Sequence, residues 1–142
     1  MSKLGYSEDD KRKHLEFIQL AINRMAANSF ILKGWNITLV VGLFAVSITK
    51  NQNLFLILAL LPAIAFWGLD SYYLRKEKLF RELYNFVRMR DKSLIDPYSL
   101  ETKEFEKNIK SWFHILFSRT VIVLHGPIII FILCFSMILW GG

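Results

Sequence analysis

Three long apolar segments constrain the fold of this chain more than any other feature. The first two, residues 37–48 and 54–69, are separated by a short polar connector, and the third covers residues 120–140. A connector this short joins antiparallel neighbours, and an apolar helix of roughly 20 residues crosses a membrane. The pattern predicts an all-α integral membrane protein with a two-span helical hairpin, a third C-terminal span and amphipathic helices outside the membrane.

Composition divides the chain into four segments. Residues 30–74 hold the hairpin and residues 120–142 the third span, whereas 1–29 and 75–119 are charged. We predict an amphipathic N-terminal helix over 1–29. We predict a helical pair over 75–119, of which the first helix continues out of the hairpin.

Local signals predict where these helices begin, bend and end. Ser7 and Asp10 have the spacing of a capping box at the start of the N-terminal helix. Gly34 is the expected bend before the first span, and Pro127 the expected kink in the third. Asp96 and Pro97 predict a turn, after which Ser99 caps the second helix of the pair.

The basic residues predict orientation. Eleven of the 18 Lys and Arg residues lie between positions 75 and 119, whereas the connector of the hairpin carries only Lys50. Short segments rich in Lys and Arg stay cytoplasmic, so the N-terminus and the 75–119 segment are predicted to be cytoplasmic. The basic residues of 75–92 alternate with acidic ones, which favours a solvated face near lipid head groups over a nucleic-acid partner.

Four polar residues within the apolar segments or at their mouths form the candidate site: Lys33, Asn36, Asp70 and His125. Ionisable residues inside membrane spans are rare and mark functional positions. We predict that these four side chains face the interior or the seams of a pore. A structural interpretation stays open for each of them. Asp70 pairs with Lys33 or Arg75, and His125 bonds to a neighbouring helix or to the carbonyl that Pro127 leaves free. Lys33 and Asn36 face lipid and snorkel towards the interface.

A second set of residues is predicted to contact a soluble partner or lipid. These residues follow the second span and combine basic with apolar side chains. They are Arg75, Lys76, Leu79, Arg81 and Leu83. The N-terminal helix carries a matching apolar stripe, which requires a partner or a membrane surface to cover it.

Two further patterns involve His125. On a continuous helix, His114, Ser118 and His125 would share one face and extend a polar strip into the membrane. Arg119 and His125, six positions apart, have a spacing that resembles the Arg-x4-6-His motif of HEPN ribonucleases, in which the pair handles the scissile phosphate and proton transfer. Because this spacing leads into an apolar segment that RNA does not reach, the chain is predicted not to be an enzyme. Its one cysteine, Cys134, leaves no thiolate cluster, and we expect neither metal nor cofactor.

Four short segments carry a resemblance to a known class. They are NRMAAN at 23–28, KGW at 33–35, FWGLD at 66–70 and LFRELY at 79–84. With the hairpin between them, they make residues 10–90 similar in plan to the two-span effectors of anti-phage defence, such as the SLATT class found with nucleotide-signalling enzymes. The resemblance implies a homo-oligomeric effector of the bacterial inner (plasma) membrane that breaches or depolarises it when a phage is sensed. It assigns no functional residue, and the third span departs from that plan.

Two function classes follow from these observations. The first is a homo-oligomeric membrane effector or pore built around the four polar residues. The second is a membrane anchor or adaptor that recruits a soluble partner through the charged helices at 7–25 and 75–112.

Overall fold

The computed structural model is built from helices in the residues that it describes, 6–50, 54–90 and 96–141. The helices are α1 (Glu8–Lys50), α2 (Leu54–Leu58), α3 (Leu60–Met89), α4 (Trp112–Leu116) and α5 (Arg119–Gly141). Three stretches, Glu8–Thr49, Leu54–Met89 and Arg119–Ile138, are long and apolar enough to cross a membrane. The predicted helical fold and three candidate spans are confirmed. Most of the predicted connector (51–53), part of the segment expected to end α3 (91–95) and the terminal Gly142 lie outside the described residues.

α1 begins at the predicted capping box. The Ser7 hydroxyl accepts the Asp10 N–H at 3.1 Å, while the Asp10 carboxylate accepts the Ser7 N–H at 3.0 Å and the Ser7 hydroxyl at 2.6 Å. These bonds satisfy donors that a helix N-terminus otherwise leaves free. From there α1 runs as one continuous helix through Gly34, the position of the predicted bend. A lone glycine costs a helix about 1 kcal/mol relative to alanine, which does not end a helix that contains no proline.

The second apolar segment is interrupted at Ala59, between α2 and α3. The Ala59 N–H is shared between the carbonyls of Phe55 and Leu56, each at 3.2 Å. Pro62 explains this local disturbance, because its ring has no N–H to donate and crowds the preceding turn. α3 then continues out of the apolar segment to Met89, as predicted.

The charged ends of α1 and α3 pack together into a unit that we call the stem, residues 8–28 and 75–89. Its core joins the apolar stripe of α1 to that of α3, so the partner that the α1 stripe required belongs to the same chain. The buried core residues of the stem are Ile18, Ile22, Leu79, Leu83 and Val87, and Phe105 from the later segment 96–111 packs into the same cluster.

Residues 96–111, which we call the strap, correct the prediction of a second helix capped by Ser99. The strap forms a turn at Pro97 and Tyr98, a 3₁₀ turn at Lys103–Phe105 and otherwise irregular chain. Tertiary contacts hold it across the stem. The Tyr98 hydroxyl donates to the Asp10 carboxylate at 2.6 Å, and the Ser99 carbonyl lies 2.7 Å from a ring nitrogen of His14. These contacts replace the local bonds of a helix.

The remaining parts of α1 and α3, with α2 and α5, form the apolar half of the molecule. Val40 of α1, Leu56 of α2 and Ile132 of α5 meet around Ala59 and Ala63. These two alanines are buried, and their small side chains allow membrane helices to approach closely. The α5 helix passes through its proline without interruption.

Candidate functional site

The four polar residues predicted as a site lie together in the apolar half. The Lys33 ammonium is 2.6 Å from Asp70 Oδ1, and His125 Nε2 is 3.1 Å from Asp70 Oδ2. Asn36 Nδ2 is 3.0 Å from His125 Nδ1. Asp70, Asn36 and His125 are completely buried. This arrangement joins α1, α3 and α5 through side chains, and it confirms the predicted pairing of Asp70 with Lys33.

Ser29 is a fifth member, which sequence reasoning missed. Its hydroxyl donates to Asp70 Oδ1 and accepts a hydrogen bond from the Lys33 ammonium at 2.6 Å. Ser29 lies four residues before Lys33, on the same helix face as Lys33 and Asn36. That spacing was the available signal. We call Ser29, Lys33, Asn36, Asp70 and His125 the polar network.

Asp70 is the centre of the polar network. Its Oδ1 accepts from Lys33 and Ser29, and its Oδ2 accepts from His125. A buried carboxylate is stable only when it is paired and hydrogen-bonded, because burial removes its hydration. The Lys33 side chain keeps 27% of its surface exposed. The network therefore runs from a partly exposed cation to a fully enclosed imidazole.

The hydrogen bonds assign different roles to the two ring nitrogens of His125. Because the Asn36 Nδ2 group can only donate, His125 Nδ1 is the acceptor in that contact, and Nε2 is the donor to Asp70. The other end of the amide, Asn36 Oδ1, is buried and has no hydrogen-bond partner among the described residues.

Two indole rings hold α4 against α3 next to the network. Trp67 Nε1 donates to the Leu116 carbonyl at 2.9 Å, and Trp112 Nε1 donates to the Gly68 carbonyl at 3.1 Å. A Cβ atom at Gly68 would lie 3.4 Å from the Trp112 ring, which shows how closely the two helices approach. This reciprocal contact fixes the chain just before α5 and has no local signal in the sequence.

The prediction that His114, Ser118 and His125 share one helix face is wrong. It assumed one continuous helix, but α4 ends at Leu116 and α5 begins at Arg119. His114 therefore belongs to another helix, where it is exposed. Arg119 is also exposed, whereas His125 is fully buried and bonded to Asp70. A substrate could therefore not reach the Arg119 and His125 side chains together.

The predicted partner or lipid contacts need a second correction. Leu79 and Leu83 are buried in the core of the stem, against α1. The stripe that they form was correctly identified, but α1 of the same chain covers it, so neither side chain is free to meet a partner or lipid.

The three basic residues of that set remain nearer the surface. Arg81 is exposed and pairs with Glu77 at 2.8 Å. The Arg75 side chain donates to the Lys110 carbonyl of the strap at 3.4 Å, and the Lys76 ammonium lies over an aromatic ring of its own helix. Arg75 therefore attaches the strap to α3 and is not a counter-ion of Asp70.

An apolar cavity of about 440 Å³ lies between α1 and α5 next to the polar network. Its lining comes from both helices and includes Ile37, Val40, Phe44, Pro127, Ile128 and Phe131. Among the described residues, no group of three or more His, Cys, Asp or Glu side chains is placed to hold a metal ion.

Comparison of the chain with protein-family models, with curated proteins and with solved structures found no match. Function is therefore inferred from the polar network and from the two halves of the molecule that meet beside it.

Proposed function

We propose that the protein is a homo-oligomeric effector of the bacterial inner membrane, with a cytoplasmic N-terminus, that perturbs the membrane or forms a pore in anti-phage defence. The polar network is the observation that carries this proposal. Lys, Asp and His side chains between membrane helices are costly and mark functional positions. An anchor requires only apolar length, so a network that joins three candidate spans supports a task beyond anchoring.

The isolated protomer is closed. Its polar network faces inward, and beyond Asn36 the side chains of Val40, Ala63 and Ile132 and the cavity beside Val40 present only apolar surface between the helices. A polar path through the membrane would therefore form between protomers, or after α5 moves relative to α1. The first route requires an oligomer.

Small exposed residues on α1 support an oligomer. A Cβ atom built at Gly34 or Gly42 meets no atom within 4 Å, so packing inside the protomer makes no use of their small size. Thr38 and Ala45 continue the same exposed face. Faces of small residues allow membrane helices to approach closely, and a second copy of α1 is the proposed neighbour.

Two measurements on purified protein test this proposal. Mass photometry in detergent should show several protomers in one particle, and reconstitution into dye-filled liposomes should make them leak. Gly42→Leu should reduce both signals, because the larger side chain blocks close approach. Val123→Leu, which also enlarges an exposed apolar side chain, is the matched control. A monomer that leaves liposomes tight would refute the proposal.

The second candidate is a membrane anchor or adaptor, which the stem favours because it has a hydrophobic core of its own. A soluble partner would bind its exposed charged surface, where Arg81 lies, and not Leu79 or Leu83. Under this alternative, a partner that co-purifies in stoichiometric amount is lost in Arg81→Glu and retained in His125→Gln. The opposite pattern would favour the effector.

A further inference from the structure

Asn36 Oδ1 is the least satisfied atom of the polar network. The side chain is completely buried, and its oxygen has no hydrogen-bond partner among the described residues. Buried acceptors are rarely left unpaired, since they give up hydrogen bonds to water and gain none. The oxygen belongs to the same amide whose nitrogen is 3.0 Å from His125 Nδ1.

We propose that Asn36 and His125 form a proton-binding site, in which His125 Nδ1 takes up a proton and the Asn36 amide turns over to accept it through Oδ1. In the neutral form, Nδ1 accepts from the amide nitrogen. A proton on Nδ1 would place two donors against each other. A half-turn of the amide exchanges nitrogen for oxygen in nearly the same shape and restores a hydrogen bond. One amide thus serves both protonation states.

The charges around His125 support proton uptake. On α3, Asp70 faces Nε2 at 3.1 Å and stabilises an imidazolium. On α1, the Lys33 ammonium opposes it, because both cations would share one carboxylate, and Ser29 contributes only a hydroxyl. Lys33 keeps 27% of its side chain exposed and can withdraw towards water on its flexible stem. Proton uptake raises the charge of the network from zero to +1 and loosens the pairing of Lys33 with Asp70.

The route to the site is one-sided. Lys33 is the partly exposed end of the network, whereas Asn36 and His125 are fully buried. On the far side of Asn36, the described residues that cluster around Val40 and Ile132 are apolar. The proton therefore arrives from water at the Lys33 end and returns there. The site responds to the pH of one compartment and conducts no current in the closed protomer.

Nitrogen NMR of the full chain in lipid nanodiscs tests the proposal directly. With ¹⁵N-labelled histidine and asparagine, His125→Gln and Asn36→Leu identify the two signals. From about pH 8 to about pH 5, the range in which imidazoles titrate, His125 Nδ1 should change from unprotonated to protonated. The Asn36 amide signal should move with the same midpoint. A His125 signal that never titrates, or one that titrates while the Asn36 amide stays unchanged, would overturn the proposal.

The Asn36→Leu variant supplies a second readout. It removes a charge-assisted bond from the protonated form but only an ordinary bond from the neutral form, so the titration midpoint of His125 should fall by about one pH unit. Leu39→Val, on an exposed position of the same helix, is the control and should leave the midpoint unchanged. Equal midpoints in the two variants would contradict the proposal. Neither readout requires a pore, so a failure here is distinguishable from tight liposomes.

Discussion

The stem and the apolar half each bury one histidine, and the hydrogen-bond partners of the two histidines differ in charge. In the stem, His14 Nε2 donates to the Ser99 carbonyl at 2.7 Å and Nδ1 accepts from the Tyr6 hydroxyl at 2.8 Å. In the apolar half, His125 is bonded to Asp70 and Asn36. The two imidazoles are equally hidden, so burial does not separate them. What separates them is that one has neutral partners and the other a carboxylate.

This difference predicts how each half responds to change. His14 attaches the strap to the stem through neutral hydrogen bonds, and the nearby Tyr6 keeps its proton because burial and the Asp10 carboxylate raise the pKa of that phenol. His125 belongs to a set of charges that must balance inside an apolar environment. Removing one member of a balanced set leaves the others uncompensated, whereas removing a neutral contact loosens one segment.

The largest effect should follow removal of the network's only carboxylate. Asp70→Ala leaves Lys33 and His125 without an anion, and the free energy of unfolding should fall by about 3–5 kcal/mol. Denaturant-induced unfolding in detergent micelles measures it. Glu77→Ala is the matched control on the same helix, because its ion pair with the exposed Arg81 is worth about 0–1 kcal/mol. Equal losses in the two variants would show that the apolar half does not depend on charge balance.

In the stem, side-chain packing should contribute more to the free energy of unfolding than charge pairing does. Leu79→Ala creates a cavity in a fully buried position, and we expect a loss of about 2–5 kcal/mol in the same unfolding assay. Leu61→Ala removes the same atoms at a position that is 67% exposed, where the change should stay within about 0.5 kcal/mol. A stable Leu79→Ala protein that loses a bound partner would restore the docking role that the sequence predicted for Leu79.

Removing the His14 side chain should loosen the strap and leave the apolar half unchanged. His14→Ala leaves the Tyr6 hydroxyl and the Ser99 carbonyl without their partner, at a cost of about 1–3 kcal/mol. Hydrogen exchange should accelerate over residues 98–105 and stay unchanged in α5. His114→Ala, at an exposed position, provides the control. Faster exchange in α5 would mean that the two halves are coupled through the strap.

Features with a local signal were predictable from the sequence. Apolar length predicted the three candidate spans, and the spacing of Ser7 and Asp10 predicted the helix start. The pairing of Lys33 with Asp70 was predictable because a short connector places the two mouths of a hairpin at the same end. In each case, a few neighbouring residues or one simple constraint fixed the outcome.

Features that depend on distant contacts were not predictable. Ser99 has the chemistry of a helix cap, but its segment is held by Asp10 and His14, about 85 to 90 positions away in sequence, and no helix forms. The meeting of Asn36 with His125 depends on how α5 docks, which the break before α5 and the tryptophan contacts determine. Each polar residue was identifiable, but its partner required the tertiary arrangement.

The smallest effect concerns the capping box, and pH reveals it. Hydrogen bonds from Ser7 and from the Tyr98 hydroxyl lower the pKa of Asp10 from 3.8 to about 2. A carboxyl group whose folded pKa lies below its unfolded value stabilises the fold above the unfolded pKa, and this contribution disappears as the pH falls through the folded value. Asp10→Asn should therefore lower stability between pH 5 and 7, as measured by thermal unfolding followed by circular dichroism, and the gap to the unmodified protein should close near pH 2. The carboxylate is exposed, so salt should shrink the gap as well.

A gap that persists at pH 2 would mean that the asparagine disturbs the strap through Tyr98 and not through lost charge. That result would place Asp10 with His14 among the neutral contacts of the stem and leave the polar network as the only charge-dependent element in this comparison.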